Sequence, residues 1–160
     1  MVEDLNRQRV LNFLEAFYSG NIEGALAYCS DDIDFIAHAP VDLLPHMGHR
    51  RGKAEVGEMW RIIHARYSNM RYYVPIIVAE RDKVALTIRA FLRKRSNDRV
   101  VQIDIAVFFT IRDGRIAQIR QFLDFFDLVQ QMLERDVMAE LAEGKAVTFW
   151  MTEEAIGIRT

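Results

Sequence analysis

Asp104 is the residue of this chain best placed for acid or base chemistry, because it lies in the middle of a long apolar run. Alternation with a period of two places Asp104, Ala106 and Phe108 on one strand face, and Ile103 and Ile105 on the other. Burial among aliphatic side chains raises the pKa of a carboxyl group toward neutrality, which suits proton transfer. The sequence therefore predicts Asp104 as a general acid or base. The alternative is an Asp104 that pairs with an arginine and only stabilises the sheet.

Three polar side chains are predicted to assist Asp104. Gln121 follows on the next predicted strand, where its amide could orient a carbonyl or a water but could not transfer a proton. His38 ends an early strand and could relay protons to Asp104. Tyr72 and Tyr73 are adjacent, so alternation turns one of them inward, and we assign Tyr73 as a donor to the ligand. The alternatives are a satisfied amide that fills space for Gln121, an outward, solvated position for His38, and core packing for the tyrosine.

The remaining candidates are aromatic residues and histidines. Phe13, Trp60 and Phe108 are predicted to form an aromatic wall of a ligand pocket, although their spacing also fits ordinary core. His46 and His49 lie in a proline-containing loop after His38, so imidazoles could gather there. No H-x-H or H-E-x-x-H spacing is present, and we predict neither a metal site nor a cofactor.

The secondary structure that must position these residues alternates helices with strands. Helices are predicted at 5–18, 21–28, 53–66 and 127–143, and strands at 33–38, 70–80, 83–95, 99–112 and 115–123. The last four strands form an antiparallel meander with tight turns. This order predicts an α+β fold in which a curved mixed or antiparallel sheet wraps the N-terminal helices as a cone with an internal pocket.

Length and composition limit the protein to a few classes. The chain has 160 residues, 51% of them hydrophobic and 28% charged, with a net charge of −2. These values indicate a single globular domain and exclude nucleic acid as the main partner. One cysteine, no export signal and no long apolar run lead us to expect a cytoplasmic protein without a membrane partner.

Three segments carry a resemblance to a known superfamily. They are SGNIEGALAYCSDDIDF, HRRGKAEVGEMW and DGRIAQIRQFLD, in this order along the chain. The sequence resembles the nuclear transport factor two-like superfamily, which includes the SnoaL-like proteins and ketosteroid isomerase. The resemblance implies a SnoaL-like domain over residues 1–143, followed by a C-terminal extension over 144–160.

The resemblance also tests which known chemistry the chain could perform. Similarity to ketosteroid isomerase implies a tyrosine, a carboxylate base and a carboxylic acid in the pocket, and the corresponding positions hold Phe13, Ala37 and Ala106. Epoxide hydrolases of this fold need an Asp where this chain has Gln121. The acid and base groups of these relatives are therefore predicted to be absent.

Two function hypotheses remain open after this comparison. The first is an isomerase, dehydratase or cyclase that uses Asp104 for proton transfer on a carbonyl or hydroxylated ring compound. The second is a non-catalytic module that binds a small apolar or cyclic ligand, or a dimeric assembly protein. In both, the apolar outer face of the sheet predicts a homodimer.

Overall fold

The structure, a computed structural model, describes residues 1–144. This part of the chain contains five helices: α1 (Val2–Tyr18), α2 (Ile22–Ala27), α3 (Gly52–Arg66), α4 (Phe125–Leu133) and α5 (Val137–Ala142). It contains six strands: β1 (Cys29–Ala37), β2 (His49–Arg51), β3 (Tyr67–Glu80), β4 (Lys83–Lys94), β5 (Val100–Arg112) and β6 (Arg115–Leu123). Beyond Gly144, the predicted C-terminal extension lies outside the described residues.

The six strands form one curved, unclosed sheet in the order β2-β1-β6-β5-β4-β3. Strands β1 and β6 pair in parallel, and every other neighbouring pair is antiparallel. The long strands β3 to β6 are the predicted meander. The α+β cone predicted from the sequence is confirmed.

Side-chain alternation determines which face of the sheet meets the helices. Along β5 the odd-numbered residues Val101 to Ile111 are buried, and along β4 the even-numbered residues Val84 to Lys94 are buried. Helices α1 and α3 cover this inner face, where Phe13 contacts Trp60 and Phe109 at ring-centroid distances of 5.5 and 5.8 Å. The opposite, outer face of the sheet is not covered by any helix of the described residues.

Several elements differ from the sequence prediction: α1 begins at Val2 rather than at residue 5, and β1 begins at Cys29 rather than at residue 33. The short strand β2 was not predicted, because three residues carry too little pattern to detect. The predicted helix 127–143 is two helices, since Glu134 adopts a left-handed conformation (φ 56°) that ends α4. Strand β3 begins at Tyr67 and continues through Pro75, which an edge strand tolerates at a bulge because proline lacks an N–H.

No helix within residues 1–144 combines the length and apolar character that a membrane crossing requires.

Candidate functional site: a cavity inside the cone

The inner face of the sheet and the helices enclose a cavity of about 100 Å³. Helices α1, α3 and α4, the loop between β1 and β2, and strands β1 and β3 to β6 all contribute to its lining. The apolar part of the lining includes Phe17, Phe35, Trp60, Ile103, Ile105 and Leu128. Apolar enclosure with few polar groups is typical of small-molecule sites.

Five polar side chains line this cavity, and we refer to them below as the polar set. Its members are Tyr18, His46, Arg66, Tyr67 and Gln121. They come from α1, the loop after β1, the end of α3, the start of β3 and β6. No aspartate or glutamate belongs to the lining within residues 1–144. A carboxylate acid or base of the predicted kind is therefore not part of this cavity.

Arg66 is a buried cation without a carboxylate partner among residues 1–144. The residue as a whole is 6% exposed, and its Nη1 lies 3.3 Å from Nε2 of His46. The Nε atom of Arg66 is buried and has no hydrogen-bond partner in this part of the chain. Burial lowers the pKa of the Arg66 guanidinium, but a guanidinium remains protonated in proteins. The cavity wall therefore carries a positive charge that no acidic side chain neutralises.

His46 is neutral in this environment. Burial first, and the positive charges of Arg66 and Arg50 second, lower its pKa to about 4. An arginine can only donate, so the contact between Arg66 and His46 requires that Nε2 of His46 accepts. The proton of a neutral imidazole then resides on Nδ1, which is buried and lacks a partner within residues 1–144. His46 thus has one unused hydrogen-bond donor, the N–H of Nδ1, while its accepting nitrogen, Nε2, contacts Arg66.

The two phenols of the polar set are also protonated. Burial raises the pKa of Tyr67 to about 12 and raises that of Tyr18 well above its ordinary value. Tyr18 stacks on Tyr72 with ring centroids 4.3 Å apart, and the Tyr72 hydroxyl donates to Glu15 at 3.1 Å. Both cavity phenols can therefore donate to a ligand oxygen.

A second, smaller cavity of about 40 Å³ adjoins the first and shares Phe17, Trp60 and Gln121 with it. Three residues predicted as site residues belong to these two linings. Gln121 and Trp60 line both cavities, and Phe13 lines the smaller one. Their roles as ligand contacts stay predictions.

The predicted position of Asp104 inside the pocket is wrong. Asp104 lies on the outer face, with its side chain 62% exposed, and pairs across the sheet with Arg89. Arg89 Nε and Nη2 donate to the two Asp104 carboxylate oxygens at 2.8 and 2.9 Å, which holds the pKa of Asp104 below its usual range. This is the arginine-pairing alternative. The cause of the error is parity, because the isoleucines of β5 face inward and the aspartate necessarily faces outward.

Three other predicted contacts lie away from the cavity for related reasons. Phe108 has the same parity as Asp104 and is 51% exposed, and Tyr73 is 57% exposed while Tyr72 takes the inward position. His38 is exposed and packs against Phe122, with ring centroids 5.5 Å apart. None of the three contributes to either cavity lining.

Arg66 and His46 were not among the predicted site residues. Arg66 continues the helical stripe of Val56, Met59 and Ile63 by one further step of three, so the periodicity of α3 contained the signal. His46 lies in an irregular loop, where no periodicity predicts the direction of a side chain. The loop reaches the cavity because Leu44 and Met47 beside it are buried.

The described residues contain no group of three or more His, Cys, Asp or Glu side chains able to hold a metal ion. His49, the third histidine of the early region, instead contacts Asp34 on β1.

The fold is an α+β cone that surrounds a mainly apolar cavity. The chain belongs to the SnoaL-like domain family, whose model matches residues 10–119. This confirms the superfamily indicated by the sequence motifs. The comparison with curated protein sequences found no match.

Solved structures of the same fold carry different activity names. A Rhodopseudomonas palustris protein provisionally named an isomerase is 30% identical, with a TM-score of 0.74 over 79% of this chain and 97% of that one. A Jannaschia protein provisionally named a SnoaL-like polyketide cyclase is 15% identical, with a TM-score of 0.70 over 81% of this chain and 92% of that one. An epoxide hydrolase of M. tuberculosis is 19% identical, with a TM-score of 0.67 over 91% of this chain and 100% of that one. The last two likenesses show the fold alone.

Proposed function

We propose that this protein binds a small, largely apolar ring compound in the cavity of the cone. One observation carries the proposal: an enclosed apolar cavity into which five elements bring polar side chains. Buried polar groups normally have hydrogen-bond partners, and the unmet donors of His46 and Arg66 therefore favour a bound ligand. Membership of the SnoaL-like family supports the same function.

The size of the cavity limits the ligand. A volume of about 100 Å³ is smaller than the roughly 150 Å³ that holds benzene in an engineered protein core. Three methionines line the cavity, Met47, Met70 and Met132. Because methionine side chains are unbranched and adaptable, the site can expand around a ring-sized compound.

The proposal can be tested with a matched pair of neighbouring substitutions. Ile105 lines both cavities, whereas Ala106 lies on the outer face. Ring compounds would be screened by thermal shift and by NMR on the wild-type protein, Ile105→Phe and Ala106→Phe. We expect compounds that bind the wild type and Ala106→Phe to lose at least about tenfold in affinity for a folded Ile105→Phe, because the added ring fills the site. Equal affinity for all three proteins would place binding elsewhere.

A second candidate function is an isomerase or lyase acting on a carbonyl or hydroxylated ring compound. The relative that is 30% identical and provisionally named an isomerase favours it. Since the lining lacks a carboxylate within the described residues, a solvent molecule would take up the α-proton, and Arg66 and the two phenols would stabilise the developing oxyanion. Exchange of α-hydrogens of a bound cyclic ketone with D₂O, followed by NMR, tests it. The wild type should exchange these hydrogens faster than the compound does without protein, and Tyr67→Phe should slow the exchange. A wild-type rate equal to the rate without protein would argue for a binding protein without catalysis.

Two further parts of the proposed function concern the protein as a whole. We propose a homodimer formed through the outer face of the sheet, where Tyr73, Ile76, Val78, Phe108 and Phe122 are exposed. The cytoplasmic location stays a prediction from the sequence.

A further inference from the structure

We infer that the ligand of this cavity carries an anionic oxygen, which Arg66 binds with His46 as a second donor. The inference rests on the proposed function, because it specifies the chemistry of the compound that the cavity takes. A carboxylate and the enolate of a cyclic diketone both present such an oxygen on a small ring.

The two most buried cations of the described chain differ in whether an acidic side chain neutralises them. Lys94 and Arg66 are both 6% exposed. Lys94 is neutralised, since its Nζ lies 2.5 Å from Oε1 of Glu134 and also donates to the carbonyl oxygen of Met132 at 3.2 Å. The guanidinium of Arg66 has its hydrogen-bond contact with the neutral His46 ring, and it has no ion pair within residues 1–144. A buried charge without a counter-ion is costly, so a ligand anion is the group that this position lacks.

His46 adds a second unused hydrogen-bond donor beside Arg66. The Nε2 atom accepts from Arg66, which leaves the N–H of Nδ1 without a partner in the described chain. The low pKa of His46, about 4, means that the ring adds a donor but no second positive charge near neutral pH. Arg66 and His46 therefore form a coupled unit whose unmet groups are all donors.

The rest of the polar set also consists mainly of hydrogen-bond donors. The phenols of Tyr18 and Tyr67 are protonated and can donate, and Gln121 alone adds an amide that donates and accepts. Apolar side chains, among them Phe17, Phe35 and Trp60, form the remaining wall. The complementary ligand is thus an apolar ring that bears an oxygen anion at the end facing α3.

Two pairs of probes separate the charge from the shape of the ligand. Benzoate is compared with benzamide, and 1,3-cyclohexanedione, which ionises to its enolate near neutral pH, with cyclohexanone. Affinities are measured by NMR titration on the wild type and on Arg66→Met, Arg66→Lys and Arg61→Met. Arg61 is a matched control, because it lies on the same helix but is 54% exposed and pairs with Glu23.

We expect the wild type and Arg61→Met to prefer the anion of at least one pair by about tenfold or more, since hydrogen bonds to charged groups are strong. Arg66→Met should lose this preference while it keeps its affinity for the neutral partner, and Arg66→Lys should restore part of it. Preference for benzoate alone identifies a carboxylate ligand, and preference for the enolate alone identifies a ring enolate.

Other outcomes overturn the inference in distinguishable ways. If neutral and anionic partners bind the wild-type cavity equally, or if Arg66→Met keeps the preference, the anion inference fails and the proposed ligand cavity stands. If no probe perturbs the resonances of the cavity residues, the proposed function fails together with the inference.

Discussion

Lys94 on β4 and Glu134 at the end of α4 form an ion pair of 2.5 Å in which the lysine is buried. The pair attaches the last turn of α4 to the sheet. A second attachment is made by Gln131, whose amide both accepts from the backbone N–H and donates to the carbonyl oxygen of Gln102, at 2.9 and 2.8 Å. Since Phe125, Leu128 and Met132 of α4 line the cavity, these attachments keep the cavity covered.

Lys94→Met should loosen α4 without unfolding the sheet. Glu134 retains its contacts with Asn97 and Arg99, so the substitution leaves no uncompensated buried charge. We expect amide hydrogen exchange in α4 to become about tenfold faster, which corresponds to a local loss of about 1.4 kcal/mol. Lys83→Met removes an exposed ion pair with Asp82 and serves as the control. Unchanged exchange in α4 would show that packing alone holds the helix.

Arg66→Met should stabilise the protein in the absence of ligand. A buried charge without a counter-ion is costly, and a hydrophobic residue of similar volume removes that cost, so we expect a gain of about 1 kcal/mol or more in the free energy of unfolding. The lost contact to His46 offsets a part of this gain. Urea unfolding of Arg66→Met beside Arg61→Met measures the difference. A clear loss of stability in Arg66→Met would assign Arg66 to holding the fold.

Asp104→Asn should leave ligand binding unchanged. The Asp104 side chain is 62% exposed on the face opposite to the cavity, and its partner Arg89 is 46% exposed. Exposed ion pairs contribute little, so the Kd of a cavity ligand should change by less than about twofold. A titration with the same probe on both proteins checks this. A large loss of affinity or turnover would return Asp104 to the site.

The sequence predicted the helices and strands better than it predicted which strand face each residue occupies. The long strands and helices were predictable because alternation and helical periodicity persist over many residues, as in β4, β5 and α3. The face of a strand was not, since β5 carries apolar residues on both sides. Asp104 and Phe108 were consequently assigned to the inside although Ile103 and Ile105 occupy it.

The sequence could predict only some members of the polar set. Gln121 was predictable, because it lies on a regular strand. Arg66 also continued a visible stripe, but a charged residue at the end of a helix normally indicates solvent or the helix dipole. The direction of His46 depended on the path of an irregular loop, which tertiary packing alone determines.

The outer face of the sheet should mediate dimerisation. Phe108 and Phe122 contact each other there, with ring centroids 5.9 Å apart, and are 51% and 43% exposed. Burial of such a patch against a second copy would remove apolar area from water. We expect the wild type to have twice the monomer mass by light scattering and Phe108→Glu to shift toward monomer. Lys83→Glu changes the charge at the start of β4 and controls for charge alone. A monomeric wild type would contradict the proposal.

His46 should make the stability of the protein depend on pH below neutrality. Its pKa is about 4 in the folded protein and 6.5 when unperturbed, so between these values the unfolded chain binds a proton that the folded chain does not. Stability is therefore full above about pH 6.5, falls as the pH drops, and reaches its largest loss below about pH 4. Near pH 5 the loss should be about 2 kcal/mol relative to about pH 7.5.

The variant His46→Gln isolates this contribution. It removes the titrating ring, while His64, whose pKa is also lowered by burial, is common to both proteins and cancels in the difference. Urea unfolding near pH 5 and near pH 7.5 should show that the wild type loses about 2 kcal/mol more than His46→Gln. Parallel losses in the two proteins would mean that His46 is protonated in the fold. The buried site would then carry two positive charges, Arg66 and His46, and its affinity for an anion would rise with acidity.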